Sequence, residues 1–325
     1  MGKRMAAPTR YFYELTPDRI HQAFAQADLR LKPGVRFLNS MENRVVSVED
    51  EDGRRWVGKF YRPGRWSPEA LGEEHQFLEE LAAEGLPVAP PLRLGQGGTL
   101  GRVSGIWFAL FPHLQGRPLD ELAGPHLRVL GRLVGRIHRV GARRPALHRP
   151  RIGPRSWGLE ALEELRQEQV VPEDLWRRYE TLVRRLVAAT EPLFSGVESI
   201  RVHGDMHRGN LLWSSQGPAV VDFDDFGMGP PVQDLWMLVP ARDEEARSLR
   251  EVFLESYEEE RAFDRATLRL IEPLRALRFV KYAAWVARRR KDPAFVKVFP
   301  DVESRSFWQR ELEDLENQLE RLGEG

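Results

Sequence analysis

The stretch His203-Gly204-Asp205-Met206-His207-Arg208-Gly209-Asn210, with Val220-Val221-Asp222-Phe223-Asp224-Asp225 close behind it, decides how this chain is read. An aspartate is followed five residues on by an asparagine, and twelve positions after that by an aspartate ending a short apolar strand. Transfer of a phosphoryl group from Mg-ATP needs these groups. One carboxylate must accept the proton of the acceptor hydroxyl, and an amide oxygen and a second carboxylate must hold metal. Magnesium takes hard oxygen ligands and keeps waters, so one or two side chains plus phosphates suffice. The spacing alone is common; in a strand–loop–strand setting it is not.

Asp205 follows a short strand and lies between Gly204 and Gly209, where a carboxylate is held yet accessible. That is a place for a general base. Taken alone, Asp205 could equally cap the local turn; with Asn210 and Asp222 at their spacing, the catalytic reading prevails. Asn210 is expected to offer its amide oxygen to magnesium, and Asp222 to reach the metal bridging the ATP phosphates. Asp222, Asp224 and Asp225 crowd three negative charges into four residues. Such crowding is costly unless a cation neutralises it or the groups face water. Asp224 and Asp225 fit either support or exposure. His203 and His207 have no third nitrogen or thiolate partner, so hydrogen bonding within the loop is expected of them. Asp234 begins a helix and is expected to support the loop.

Upstream, residues 35–61 alternate like strands. The pattern runs through Val35-Arg36-Phe37-Leu38, a polar loop Asn39-Ser40-Met41-Glu42-Asn43, Val45-Val46-Ser47-Val48, an Asp52-Gly53 turn and 56–61. Lys59 stands in the third of these strands, and its burial would demand a carboxylate partner. A helix is expected from Ser67-Pro68, serine as N-cap and proline in the first turn, ending near Gly85-Leu86-Pro87. Glu74 shares its face with Leu71, Leu78 and Leu81, whereas Glu73 points about a third of a turn away. Glu74 is therefore the expected partner of Lys59. No G-x-G-x-x-G lies between the first two strands. Backbone N–H groups and the Ser40 hydroxyl would cap the phosphates there, with a plain polar turn as the alternative. Residues 106–111 read as a buried strand stopping at Pro112, where the division between lobes is expected: 1–112 strand-rich, 113–325 helical.

Downstream the pattern is helical at 127–137, 173–190, 232–239, 244–259, 266–290 and 303–322. Short strands are expected at 199–203, 211–213 and 219–222. The fold class that follows is α+β, a bilobal protein kinase-like arrangement. Lysine plus arginine (49) equals aspartate plus glutamate (49), so no partner such as nucleic acid or an anionic membrane is indicated. With no cysteine, disulfides, thiolate zinc and cysteine nucleophiles are excluded. Met1 to Asp18 holds no run suited to a signal peptide, and no stretch approaches a membrane span. A soluble, cytoplasmic monomer is the expectation.

These runs resemble kinases of the aminoglycoside-phosphotransferase fold, and more closely the bacterial stress response kinase A family of Ser/Thr protein kinases. The resemblance is carried by 38–45, Lys59-Phe60-Tyr61-Arg62-Pro63, Glu73-Glu74-His75-Gln76-Phe77, Pro87-Val88-Ala89, 203–210, 229–238, 271–276 and 292–295, nearly the whole chain. It implies Asp205 as catalytic base, magnesium on Asn210 and Asp222, Ser40 at the ATP site, and autophosphorylation and protein hydroxyls as acceptors in a stress response. Departures are Met206, Arg208 and Phe226-Gly227-Met228; Arg208 bears on acceptor preference.

On this reading adenine lies against 107–112, and Lys59, held by Glu74, meets the α/β-phosphates. Asp205 and Asp222 are the catalytic pair. Only eleven residues separate Asp222 from Asp234, too few for a long phosphorylated activation segment. The rival acceptor is a small molecule: an aminoglycoside, choline or a sugar-like amine. Polycation sites carry excess acid, and Glu160, Glu163, Glu164 and Glu168 form a modest run that suits a solvated helix face. A non-catalytic nucleotide-binding protein is a second rival. The run Arg288-Arg289-Arg290-Lys291 fits a helix C-terminus, where cations complement the dipole, better than a docking patch.

Overall fold

A computed structural model describes residues 12–323; most of the N-terminal stretch read for a signal peptide lies outside them. The chain opens with α1 (Pro17–Ala25), capped by the Thr16 side chain, which accepts from Arg19 N. Strands β1 (Arg36–Leu38), β2 (Arg44–Glu49) and β3 (Arg55–Phe60), helix α2 (Pro68–Ala83) and strands β4 (Gly101–Val103) and β5 (Ile106–Pro112) follow. The five strands form one antiparallel sheet in the order β1-β2-β3-β5-β4. Lys59 pairs in register with Val45 on one side and Ala109 on the other, at the centre of the sheet. Phe24, Phe60, Phe108 and Leu110 pack in the core between α1 and the sheet.

After this come α3 (Gly124–Gly141), a π-turn over Pro154–Glu160, α4 (Ala161–Glu168), α5 (Glu173–Thr190) and β6 (Ile200–Val202). Strands β7 (Leu211–Ser214) and β8 (Gly217–Val220) form a tight antiparallel hairpin. The chain then runs through β9 (Gly227–Gly229), α6 (Val232–Leu238), α7 (Glu244–Glu258), a 3₁₀ stretch at Arg265–Leu270, α8 (Ile271–Arg289), α9 (Pro293–Val296) and α10 (Arg305–Gly323). β6 and β9 pair antiparallel. No helix among the described residues is long and apolar enough to cross a membrane.

Two compact units result: the chain up to Asp120 with Arg208–Asp224, and Glu121–His207 with the chain from Asp225 onward. The structure thus differs from the expected 112/113 division in both position and connectivity. Hydrogen bonds explain the difference. Arg117 and Trp213 exchange backbone bonds, and Val220 N donates to the carbonyl of Pro87, which tie the β7–β8 hairpin to the strand-rich unit. Predicted helices 173–190, 232–239 and 244–259 match α5, α6 and α7 closely. The helix expected over 266–290 is divided, its first turn being 3₁₀.

Candidate active site

Within the first unit, Ser40, Lys59, Glu74, Asn210 and Asp222 line one cavity of about 340 Å³, a size suited to a small-molecule ligand. Its apolar walls include Val45, Val57, Leu78, Ala89, Phe111 and Leu212. Of the stretch expected to face adenine, Phe111 and Pro112 line the cavity, continued by His113 and Leu114. Trp107 instead lies under the guanidinium of Arg102, 5.1 Å from its ring centroid.

Lys59 is buried, and its Nζ lies 3.1 Å from Glu74 Oε1, 3.2 Å from Asp222 Oδ1 and 3.1 Å from Asp224 Oδ1. Glu74, almost fully buried on α2, is thus the glutamate that meets the lysine, as the helical geometry expects. Burial disfavours the charge on Lys59, but Asp224, Glu74 and Asp222 outweigh it and hold its pKa well above the usual lysine range. The charged ammonium is the favoured form. Asp224, read from the sequence as support or exposed, is buried and also accepts from Arg65, while Arg65 and Arg62 both reach Glu42. Asp222 and Asp224 are therefore paired with cations of their own unit.

The loop before β2 is fastened by Arg62. Its Nε donates to Glu42 O at 2.9 Å, and its backbone N–H donates to Asn43 Oδ1 at 3.0 Å. Asn43 N donates to Ser40 Oγ at 3.3 Å. These bonds close a polar turn on the cavity wall without glycine.

Asn210 and Asp222 flank the β7–β8 hairpin, and Val221 N donates to Asn210 O at 3.0 Å across its mouth. Asp222 has φ +62°, a left-handed conformation rare outside glycine. Asp tolerates it better than most residues, and functional sites store such strain. No group of three or more histidines, aspartates or glutamates gathers as a metal site among the described residues. An amide oxygen and a carboxylate on one cavity wall nevertheless fit magnesium, which takes its remaining ligands from phosphate and water. Arg208, singled out as a departure, donates to the carbonyl of Asp120.

Asp205 belongs to the second unit. Arg278 Nη2 of α8 donates to its Oδ1 at 2.7 Å, and His207 Nε2 lies 3.4 Å from its Oδ2. Burial pushes the Asp205 carboxyl up, but the His207 hydrogen bond and the Arg278 guanidinium outweigh it and hold the pKa far below the usual range. Asp234 supports the loop as expected. Its carboxylate accepts from His203 N (2.8 Å) and Gly204 N (2.9 Å), and from His138 Nε2 at 3.0 Å. Gln233 Nε2 donates to Gly204 O at 2.8 Å. His203 is wholly buried and its Nδ1 accepts from Asp205 N, so its role is structural. Gly204 has φ +82°, and a Cβ there would stand 2.4 Å from the carbonyl of Asp225. Only glycine fits that position.

Arg278 is the site residue that sequence reasoning missed. It lies 73 positions from Asp205, and helical periodicity places it on α8 without saying what it meets. The acidic run, expected as a solvated helix face, and the basic run, expected to complement a helix C-terminus, pair with each other: Arg288 Nε with Glu164 Oε2 at 3.4 Å, and Arg290 with Glu168.

An antiparallel sheet carrying a buried Lys–Glu pair, with Asn210 and Asp222 on the same cavity, defines the chain as a phosphotransferase with the bilobal, kinase-like fold. Residues 34–271 match the model of the phosphotransferase enzyme family APH. Two solved structures share the fold: amicoumacin kinase hAmiN in complex with AMP-PNP, Ca2+ and Ami (TM-score 0.71, 21% identity, 94% of each chain) and a microcompartment-associated aminopropanol kinase (TM-score 0.70, 20% identity, 95% of this chain and 99% of that one). The chain belongs to the stress response kinase A family. It is 40% identical over 314 residues, 96% of this chain and 95% of the relative, to stress response kinase A of Escherichia coli (strain K12). The same identity and coverage relate it to serine/threonine protein kinase RdoA of Salmonella typhimurium.

Proposed function

We infer that this kinase transfers the γ-phosphoryl group of Mg-ATP to serine or threonine hydroxyls of proteins, itself included, as part of a stress response. The observation that carries the reading is the convergence of Ser40, Lys59, Glu74, Asn210 and Asp222 on one cavity. A relative at 40% identity named a serine/threonine protein kinase supports the acceptor class.

In this account the apolar walls take the adenine, and Lys59, held charged by Glu74 and Asp224, contacts the α/β-phosphates. The Ser40 turn covers the phosphates with hydroxyl and backbone donors. Asn210 and Asp222 would hold magnesium, which when bound offsets charge on the phosphate oxygens. Asp205 orients the acceptor hydroxyl. The hydroxyl oxygen bonds to the γ-phosphorus as the bond to ADP breaks, and the hydroxyl proton passes to the Asp205 carboxylate. Positioning and charge stabilisation supply the rate; a strongly basic carboxylate is not needed.

The small-molecule alternative draws less support. A polycation site needs uncompensated acid, whereas Glu164 and Glu168 pair with Arg288 and Arg290, and Glu163 lies 3.9 Å from Arg166. Labelled ATP offered with a generic protein acceptor and, separately, with an aminoglycoside tests the reading. Label on protein supports it; label on the aminoglycoside alone would sink it.

A further inference from the structure

The group beside Asp205 is a cation with capacity left over. Arg278 Nη2 donates to Asp205 Oδ1 at 2.7 Å, and its side chain is 35% exposed against 22% for the aspartate. A guanidinium presents five N–H donors in a rigid planar fork. Among the described residues, Asp205 is its sole hydrogen-bond partner, so most of the fork is open to a ligand. One turn earlier on the same helix, Arg275 is already committed to Glu272 and the carbonyl of Pro240. One turn later stands Tyr282, 42% exposed. The face that an acceptor meets at Asp205 therefore begins with guanidinium N–H donors that Asp205 leaves open.

We propose that Arg278 selects acceptors by charge, favouring a hydroxyl that has a carboxylate close by, such as a serine or threonine flanked by acidic residues, over a hydroxyl carried on a polycation. The proposal rests on Asp205 being the group that meets a protein hydroxyl. An anionic flank pairs with the outward N–H donors of the fork while Nη2 stays on Oδ1. A cationic flank meets a like charge at close range, and discrimination of this kind comes as much from repulsion as from attraction.

The test uses the full chain and three serine peptides that differ only in flanking residues, glutamate, alanine or lysine. For the wild type the KM should be lowest with glutamate flanks and about tenfold higher with lysine flanks. That ratio should shrink with added salt, as screening requires. Arg278→Ala should bring the ratio to near unity with the KM for ATP unchanged, and Arg278→Lys should restore part of it. Because Arg278→Ala also lowers kcat through Asp205, the ratio of KM values is the deciding quantity. A wild type with no charge preference, or the same ratio in Arg278→Ala, overturns the inference and leaves the protein kinase reading standing. No transfer to any peptide while ATP is still hydrolysed overturns the protein-acceptor reading, and this inference with it.

Discussion

Asp205 has a donor at each carboxylate oxygen, Arg278 at Oδ1 and His207 at Oδ2. Its pKa is held below the usual value in the folded chain, so it stays ionised throughout the neutral range. The sign follows from linkage. A depressed carboxyl adds stability at pH above its unfolded pKa, and that contribution is lost as pH falls through the folded value. The acid limb of kcat/KM from Asp205 should therefore lie below pH ~4, and Arg278→Ala should move it upward. An acid limb near pH 6 that Arg278→Ala leaves in place, measured with an acceptor free of titrating groups, would contradict this assignment.

At the scale of elements, two buried polar junctions hold the site. α2 brings Glu74 to β3 at Lys59, and Asp224 joins them. Lys59→Met removes the ammonium that Glu74 and Asp224 share, with only Asp224 keeping Arg65, so it should destabilise by about 3–5 kcal/mol in denaturant unfolding. Glu74→Gln should cost less, because Asp224 and Asp222 still balance the ammonium. α6 brings Asp234 to the loop before Asp205. Asp234→Ala orphans two buried N–H groups, at about 1–3 kcal/mol each. It should lower kcat far more than it raises the KM for ATP; an unchanged kcat would remove Asp234 from the loop's support.

These elements differ in how plainly the sequence announces them. Ser67-Pro68 marks the start of α2 by cap and proline together, and the helix begins there. Thr16-Pro17 carries the same signal for α1, but with only Ile20, Ala23 and Phe24 facing the core its apolar period is too sparse to announce a helix. β4 is three residues long and too short for a period. Glu74 was legible because a helix face is local information. Arg278 and the pairing of Glu164 and Glu168 with Arg288 and Arg290 were not, because they depend on how distant helices pack. The division at Asp120, and the return of Arg208–Asp224 to the first unit, likewise depend on long-range backbone bonds.

For the whole molecule, the groups proposed for the nucleotide, Lys59, Asn210 and Asp222, belong to the first unit and Asp205 to the second. Between Asp222 and Asp234 the chain forms a 3₁₀ turn at Phe223–Asp225, the strand β9 and the start of α6. β9 pairs with β6 and bonds to Pro150 and Ile152, and the start of α6 closes on Pro230 and Pro231. No segment remains there to be ordered by phosphorylation, so phosphatase-treated protein should be fully active at once. A lag, or a strict need for prior phosphorylation, would refute that expectation.

If Asp205, Asn210 and Asp222 serve one phosphoryl transfer, removing either carboxylate should abolish it. Wild type, Asp205→Ala and Asp222→Ala are incubated with radiolabelled ATP, magnesium and a protein acceptor, and labelled sites are mapped by mass spectrometry. The account predicts serine or threonine phosphate on the acceptor and on the wild-type chain. It predicts a fall of at least ~100-fold in both variants, with nucleotide binding kept in Asp205→Ala. Full transfer by Asp205→Ala would contradict it.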